Sequence, residues 1–353
     1  MKTKAVLDVK HGDPLVIDEV EIPEPNPDQV IVKLLASGIC HSQLHQIAVP
    51  TRPRPLTLGH EATGIITSVG ANVTHVQEGQ KVIATWVSRK PIQGFPGGIT
   101  GNDHMGITYK GGQVWGKTCM WSEDTIVDGD YVEPIHDDAP ADLTCIIGCA
   151  VLTGAGAVRH TAGVGEGDSV AVFGVGGVGL SAVWMASILK AYPIIAVDLR
   201  DDKLNLAREF GATHVVNASE VDPVAAIMDL NSGGVEYAFD AIGVDVTTEQ
   251  ILRVTKEGGP GAYNRGGTSV LVGVPTQKMT FEASHFAAFH KSYIGSAGAS
   301  YPIKDFEMFM RYYNEGKFPL DKLVTRRYKL HEVNDALSAL HGGEILGRAV
   351  IEM

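Results

Sequence analysis

Cys40 in Gly38-Ile39-Cys40-His41-Ser42, His60 in Gly59-His60-Glu61 and Cys149 in Ile147-Gly148-Cys149 are soft or borderline metal ligands set far apart in the chain. Two thiolates and one neutral imidazole leave a fourth tetrahedral position open to water or an alcohol, which is how a catalytic rather than a structural zinc site is built. Singly, a buried cysteine is a small core residue and a histidine beside glycine is filler. For the metal reading to be wrong, all three of those dull readings must hold together. Glu61 reads as a carboxylate next to the site rather than a ligand, Cys145 as packing, and Cys119 has no partner in sequence.

A second chemical signal follows. Ser169-Val170-Ala171-Val172-Phe173 predicts a strand running into Gly174-Val175-Gly176-Gly177-Val178-Gly179, then a small-residue helix to Ala191, then a strand from Pro193 to Asp198. In such a βαβ unit Gly174 permits the tight turn, Gly176 lets the backbone approach a pyrophosphate, and Gly179 lets the helix pack on the strand. Gly177 and Val178 open that helix, whose free N–H groups attract phosphates. Asp198, 24 residues after Gly174, is placed to accept ribose hydroxyls, and its charge opposes a 2′-phosphate, which favours NAD(H). Its other reading is a strand-end carboxylate capping the next helix. Arg200 and Lys203 stand near enough to soften the repulsion, and Lys203 is a further candidate for cofactor contact.

These residues need two kinds of scaffold. Residues 1–151 hold short β-type runs between turn clusters, among them Gln29–Leu35, Gly64–Val69 and Gly79–Ala84, and predict a compact β domain. From 152 to 296 apolar strands alternate with helices, which means a parallel sheet: His214–Val216, Val235–Asp240, Ser269–Val274 and Ser292–Ser296 are its later strands. Residues 297–353 end in a helix from His331 to His341 and a strand around Arg348 to Ile351. Residues 88–118 carry eight glycines and no cysteine, with little periodicity, and predict a mobile loop. The glycine-rich stretch Gly258–Gly267 is irregular as well.

The bulk composition excludes several classes. A chain of 353 residues predicts two domains. No apolar run approaches the roughly 20 residues that span a bilayer, and no signal-peptide core forms before Asp8 and Lys10. A net charge of −12 offers no basic stripe for nucleic acid. Four cysteines without an export signal suit a reducing cytoplasm better than a disulfide framework.

Together, Cys40-His41-Ser42, Gly59 to Gly64, Gly148-Cys149 with Thr153-Gly154, Gly174 to Gly179, Asp198 and Gly347-Arg348 resemble the zinc-dependent medium-chain alcohol dehydrogenases over nearly the whole chain. The resemblance implies an α/β fold with a Rossmann doubly wound parallel sheet domain inserted into a β-rich, GroES-like catalytic domain, which residues 297–353 complete. It implies that zinc binds the substrate oxygen, that Ser42 takes the hydroxyl proton, and that His45 passes it on through the cofactor ribose to solvent. His41 and Arg348 match positions on the cofactor phosphates, Thr153 one near the nicotinamide, Val272 and Val274 a strand bordering its carboxamide, and Trp86 an aromatic wall of the substrate pocket. Ordinary readings stand beside these: Ser42 as a capping residue, His45 as a loop histidine, Trp86 as core.

Three departures from the family pattern matter. The cysteine-free 88–118 segment implies one catalytic zinc per chain and no structural zinc, and Gln43 replaces an aspartate that usually orients the zinc histidine, which implies weaker metal binding. The Pro260–Arg265 insertion has no counterpart and could reach the adenine end of the cofactor or a neighbouring subunit. The expected reaction is reversible hydride transfer between primary or secondary alcohols and NAD(H), in a homodimer or homotetramer. Alternatives are a nicotinoprotein that retains its NAD, a polyol dehydrogenase, and a catalytically silent dinucleotide-binding protein.

Overall fold

The computed structural model describes residues 1–90, 105–275 and 277–353. They divide into two compact units, one of residues 1–149, 301–311 and 320–353 and the other of residues 150–300 and 312–319.

The first unit is mainly β. It begins with β1 (Lys2–Asp8), β2 (Val16–Glu21), β3 (Gln29–Ile39), β4 (Leu56–Thr57), β5 (Ala62–Val69), β6 (Lys81–Ala84), β7 (Thr108–Tyr109), β8 (Gly112–Gln113), β9 (Asp124–Asp128) and β10 (Val132–Pro134). One sheet runs β4-β1-β2-β7-β8. β3 is the spine of the other: Val30, Val32 and Leu34 are buried with Ala62, Ile66, Val82 and Val127, while Lys33 between them is exposed, the period-2 pattern of a strand. Ile31 is buried in a second cluster with Ala5, Leu7, Val20 and Ile22, so both faces of β3 carry core. Residues 91–104, the centre of the expected mobile loop, lie outside the described residues; residues 105–118 supply the β7–β8 pair, which extends the first sheet from β2.

The second unit is the expected doubly wound sheet. Its strands β11 (Val170–Phe173), β12 (Ile194–Asp198), β13 (His214–Asn217), β14 (Tyr237–Asp240), β15 (Thr268–Leu271) and β16 (Ser292–Gly295) are all parallel, in the order β13-β12-β11-β14-β15-β16. The order reverses between β11 and β14, and ligands of such sheets bind beyond the strand C-termini at that point. β11 is buried throughout, as a central parallel strand must be. The crossover helices fall where the sequence signals them; Asp222, for instance, caps its helix by accepting from Val224 N at 3.1 Å, with Pro223 in the first turn. The expected strand Ser269–Val274 ends earlier, at Leu271, because Val272 N and Gly273 N both donate to Asp240 O and turn the chain out of the ladder. The 260–265 insertion is rooted on the segment before β16, with Gly258 N donating to Phe289 O and Gly266 N to His290 O, and it leaves Tyr263 fully exposed.

The C-terminal residues return to the first unit as β17 (Val324–Lys329) and β18 (Arg348–Glu352), giving the spine sheet the order β10-β6-β5-β3-β18-β17. The units differ from the expected boundaries at residues 150–151 and 297–300 and, most of all, at residues 312–319, expected with the catalytic domain but grouped with the second unit. Trp184 explains that last grouping. Its ring stacks on Phe318 at 3.8 Å, meets Tyr312 edge-on at 5.9 Å, and donates Nε1–H to Lys317 O at 2.8 Å. Among the described residues no single helix is long and apolar enough to cross a membrane. Trp184→Ala is expected to cost about 3–5 kcal/mol of stability, and Trp184→Phe, which keeps the stacking and loses the N–H donor, about 1 kcal/mol; urea unfolding of both variants checks the pair.

Candidate active site

Strand pairing assembles the metal cluster. β3 ends at Ile39, just before Cys40, and β5 begins at Ala62, just after Glu61; Ser37 pairs with Ala62 in an antiparallel register, so the segments beyond them meet. β6 flanks β5 with Ala84 opposite Ala62, and Thr85 Oγ1 donates to Gly148 O at 2.6 Å, holding Cys149 beside them. β18 flanks β3 on its other side and opens with Arg348.

One donor atom each from Cys40, His60, Glu61 and Cys149 lie within 4.8 Å of one another, and His60 Nε2 is 3.2 Å from Cys149 Sγ. Cys40 is half-buried and the other three are buried. A hydrogen bond from Cys149 draws the Cys40 thiol well below its usual range despite burial, with help from Arg348 and His60; the neighbouring Cys40 and burial push the Cys149 thiol well above it. The two sulfurs pull each other's titration in opposite directions, and a divalent cation held by both would be bound through their thiolate forms. Two sulfurs and one imidazole nitrogen suit zinc, and among the described residues this is the one group of three or more potential ligands. Cys119 is different: burial pushes its thiol up to about 12, which leaves it neither ligand nor nucleophile. Burial likewise raises the Cys145 thiol, so packing is its role.

Glu61, expected beside the site, comes within ligand range. Gly38 makes room for it, since a Cβ there would stand 2.4 Å from Glu61 Cδ. Arg348, expected on the cofactor phosphates, is 5% exposed and lies at the cluster: Nη1 donates to Ile39 O at 3.1 Å, and Nη2 is 3.5 Å from Glu61 Oε1 and 3.6 Å from Cys149 Sγ. Burial alone would lower its pKa, but Cys40, Glu61 and Cys149 together raise it.

Gln43 is fully buried in the first turn of the helix His41–Ala48. Its Oε1 accepts Cys40 N–H at 2.9 Å and its Nε2 faces His60 Nδ1 at 2.5 Å. To bind a metal through Nε2, a neutral imidazole must carry its proton on Nδ1 and donate it. As placed, the amide turns its oxygen to Cys40 N–H and its NH2 group to His60 Nδ1, so the acceptor is aimed away from the imidazole. A carboxylate in its place would present an oxygen to each neighbour.

Ser42 Oγ and His45 Nδ1, on one face of the same helix, are buried without a hydrogen-bond partner among the described residues, as is Trp86 Nε1 just beyond β6 and Thr85. His41 is exposed at the helix start. Buried polar atoms without partners are rare and mark places where a ligand or water completes the bonding. In the second unit Thr153 Oγ1 is orphaned in the same way.

The nucleotide turn has the expected form. Gly174 has φ +83° and donates to Val197 O at 2.8 Å; a Cβ on Gly179 would stand 1.8 Å from Gly174 O; one on Gly176 would meet nothing within 4 Å, leaving that approach open. Gly177 and Val178 begin the helix Gly177–Ile188. The Asp198 carboxylate accepts Val175 N–H at 3.0 Å and Leu199 N–H at 2.8 Å, so it braces the turn rather than capping the next helix. Arg200 is paired with Asp202, whose Oδ1 accepts Arg200 Nε–H at 3.0 Å and Lys203 N–H at 2.8 Å. Val272 and Val274 lie past the end of β15 rather than on it.

From the Gln43 geometry, Gln43→Asp is expected to bind zinc about tenfold more tightly, and Gln43→Ala no more tightly than the wild type. Competition against a chromophoric chelator measures both.

Comparison with known proteins agrees with this geometry. Residues 26–137 match the alcohol dehydrogenase GroES-like domain, and residues 177–315 match the zinc-binding dehydrogenase family. The chain is 33% identical to an NDMA-dependent alcohol dehydrogenase of Amycolatopsis methanolica, over 98% of this chain and 97% of that protein. Benzyl alcohol dehydrogenase of Acinetobacter calcoaceticus has a TM-score of 0.89 at 29% identity, covering 100% of this chain and 99% of that one. An alcohol dehydrogenase of the archaeon Aeropyrum pernix has a TM-score of 0.81 at 28% identity, covering 99% and 100%. With 33% identity over nearly the whole of both chains, two family matches and a buried cluster of two cysteines and a histidine, the chain belongs to the zinc-dependent alcohol dehydrogenases of the medium-chain dehydrogenase/reductase superfamily.

Proposed function

We propose that the enzyme interconverts primary or secondary alcohols with aldehydes or ketones, using NAD(H) and one zinc ion held by Cys40, His60 and Cys149. The observation that carries this is the convergence of those donors within 4.8 Å, beside a helix whose Ser42 and His45 lack partners. Zinc bound there lowers the pKa of an alcohol or polarises a carbonyl, and the nicotinamide carries the hydride.

The chain's own residues do the rest. Ser42 Oγ accepts the hydroxyl proton, and His45, one turn along the same face, relays it towards solvent. Arg348 offsets part of the negative charge of the sulfurs and holds the Glu61 carboxylate. Gln43 orients His60, and Trp86 lines the substrate side. In the nucleotide-binding unit Gly174 to Gly179 seat the pyrophosphate, and Thr153, Val272 and Val274 border the nicotinamide; His41 is a further basic candidate for cofactor contact. Asp198 favours NAD over NADP because its charge is fixed at the end of β12 and Arg200 is already engaged by Asp202. Lys203, half-exposed on the next helix, contacts the ribose side.

A second reading, in which NAD stays bound through turnover, draws on the relative described as NDMA-dependent; cofactor retained through dialysis would favour it. We further propose a cytoplasmic homodimer or homotetramer, supported by four free cysteines and by β16 at the sheet edge, where unpaired backbone groups invite a second copy.

A panel of alcohols and carbonyls followed by NADH absorbance, with and without added zinc, tests the activity. Metal analysis is expected to give about one zinc per subunit. Cys149→Ser is expected to lose that zinc and the activity while NADH binding, by fluorescence, stays near wild type; full turnover in this variant would refute the ligand assignment.

A further inference from the structure

Asp240 closes β14, is fully buried, and has no part in the chemistry above. Its carboxylate accepts Ile242 N–H at 2.8 Å, Gly243 N–H at 3.1 Å and the Thr247 hydroxyl at 3.0 Å. Its backbone oxygen accepts Val272 N–H at 2.9 Å and Gly273 N–H at 2.8 Å, the two residues that follow β15. One residue therefore ties together the turns that leave two neighbouring strands.

The middle turn also leans on the nucleotide turn. Ile242 Cγ1 stands 2.3 Å from where a Cβ on Gly174 would be, so the isoleucine fills the space that this glycine leaves. On the other side a Cβ on Gly243 would stand 2.7 Å from Val274 O. Turns 174–179, 241–243 and 272–274 thus touch edge to edge at the C-terminal ends of β11, β14 and β15, with Asp240 beneath the central one. Burying a carboxylate is costly unless its hydrogen bonds are met, and here they are met by the amides that shape that turn.

We propose that Asp240 is a positioning residue for NAD(H): by fixing Ile242 and Gly243 through its side chain, and Val272 and Gly273 through its backbone, it sets the wall against which the cofactor seats, without touching it. The inference rests on reading these strand ends as the cofactor edge. An alanine here would leave the Ile242 and Gly243 amides without their acceptor and free Ile242 to move off Gly174. An asparagine would still accept both amides with its one carbonyl oxygen.

The full-length zinc enzyme is titrated with NADH by fluorescence, with zinc content and urea unfolding measured in parallel. Asp240→Ala is expected to raise the NADH Kd about tenfold and the KM for NAD with it, while kcat at saturating NAD and zinc content hold; a lost buried hydrogen bond is of that size. Asp240→Asn should stay within about threefold of wild type. Ile242→Ala, at a position 41% exposed and so of little risk to folding, should raise Kd about threefold. A strand cap with no further role would lower stability and leave Kd unchanged in both alanine variants, and that result overturns the inference. Wild-type enzyme that fails to bind NADH would sink the cofactor reading and this inference with it; wild-type binding with an unaltered Asp240→Ala overturns this inference alone.

Discussion

Two sulfurs, an imidazole, a carboxylate and a guanidinium share one nearly dry volume, and their charges decide what can sit among them. With both thiols ionised, Cys40, Cys149 and Glu61 carry three negative charges against the single positive charge of Arg348. A buried excess of that kind is severely unfavourable. A shared proton reduces it; a dication cancels it. The rest of the catalytic unit follows from keeping this arrangement in register: β3 and β5 present Cys40, His60 and Glu61 from adjacent edges, Thr85 after β6 holds the Cys149 segment, β18 brings the counter-charge, and Gly38 opens the space in which Glu61 can lie.

The sequence shows the ligands because cysteine and histidine types carry their chemistry wherever they stand, and it shows the parallel sheet because apolar strands recur with helices between them. Gly174, Gly179 and Asp198 were legible for the same reason: a tight turn, a close approach and a strand-end charge each demand a particular residue type. What escaped was everything decided by which strands pair. That Arg348 faces Cys149 depends on β18 lying beside β3, a pairing across most of the chain. The placement of residues 312–319 depends on Trp184, whose partners Lys317 and Phe318 have no signal in local pattern. Asp240 looks like any strand-end carboxylate until the turns after β14 and β15 are seen side by side. The early end of β15 has the same origin, since Asp240 draws Val272 and Gly273 out of the ladder.

The two strand-end aspartates of the nucleotide unit divide their labour by exposure. Asp198 is half-buried, braces the turn through Val175 and keeps an open side towards solvent. Asp240 is sealed and spends its acceptors on backbone amides and Thr247. The first remains partly open to solvent, while the second is wholly engaged within the protein. Gln43 is in an intermediate position: sealed like Asp240, but with its oxygen turned to Cys40 N–H and its NH2 group to His60 Nδ1.

The pairing of β18 with β3 also orders events during synthesis. Arg348 and its partner Ile39 are 309 residues apart, and the whole parallel-sheet unit is translated between them. Contacts of such separation close late, because the loop entropy must be overcome before they contribute. On the ribosome, then, Cys40, His60 and Cys149 emerge long before the guanidinium that compensates them. The nascent ligands wait without their counter-ion, so early capture of a cation and late docking of the final strand become alternative ways of relieving the same electrostatic excess.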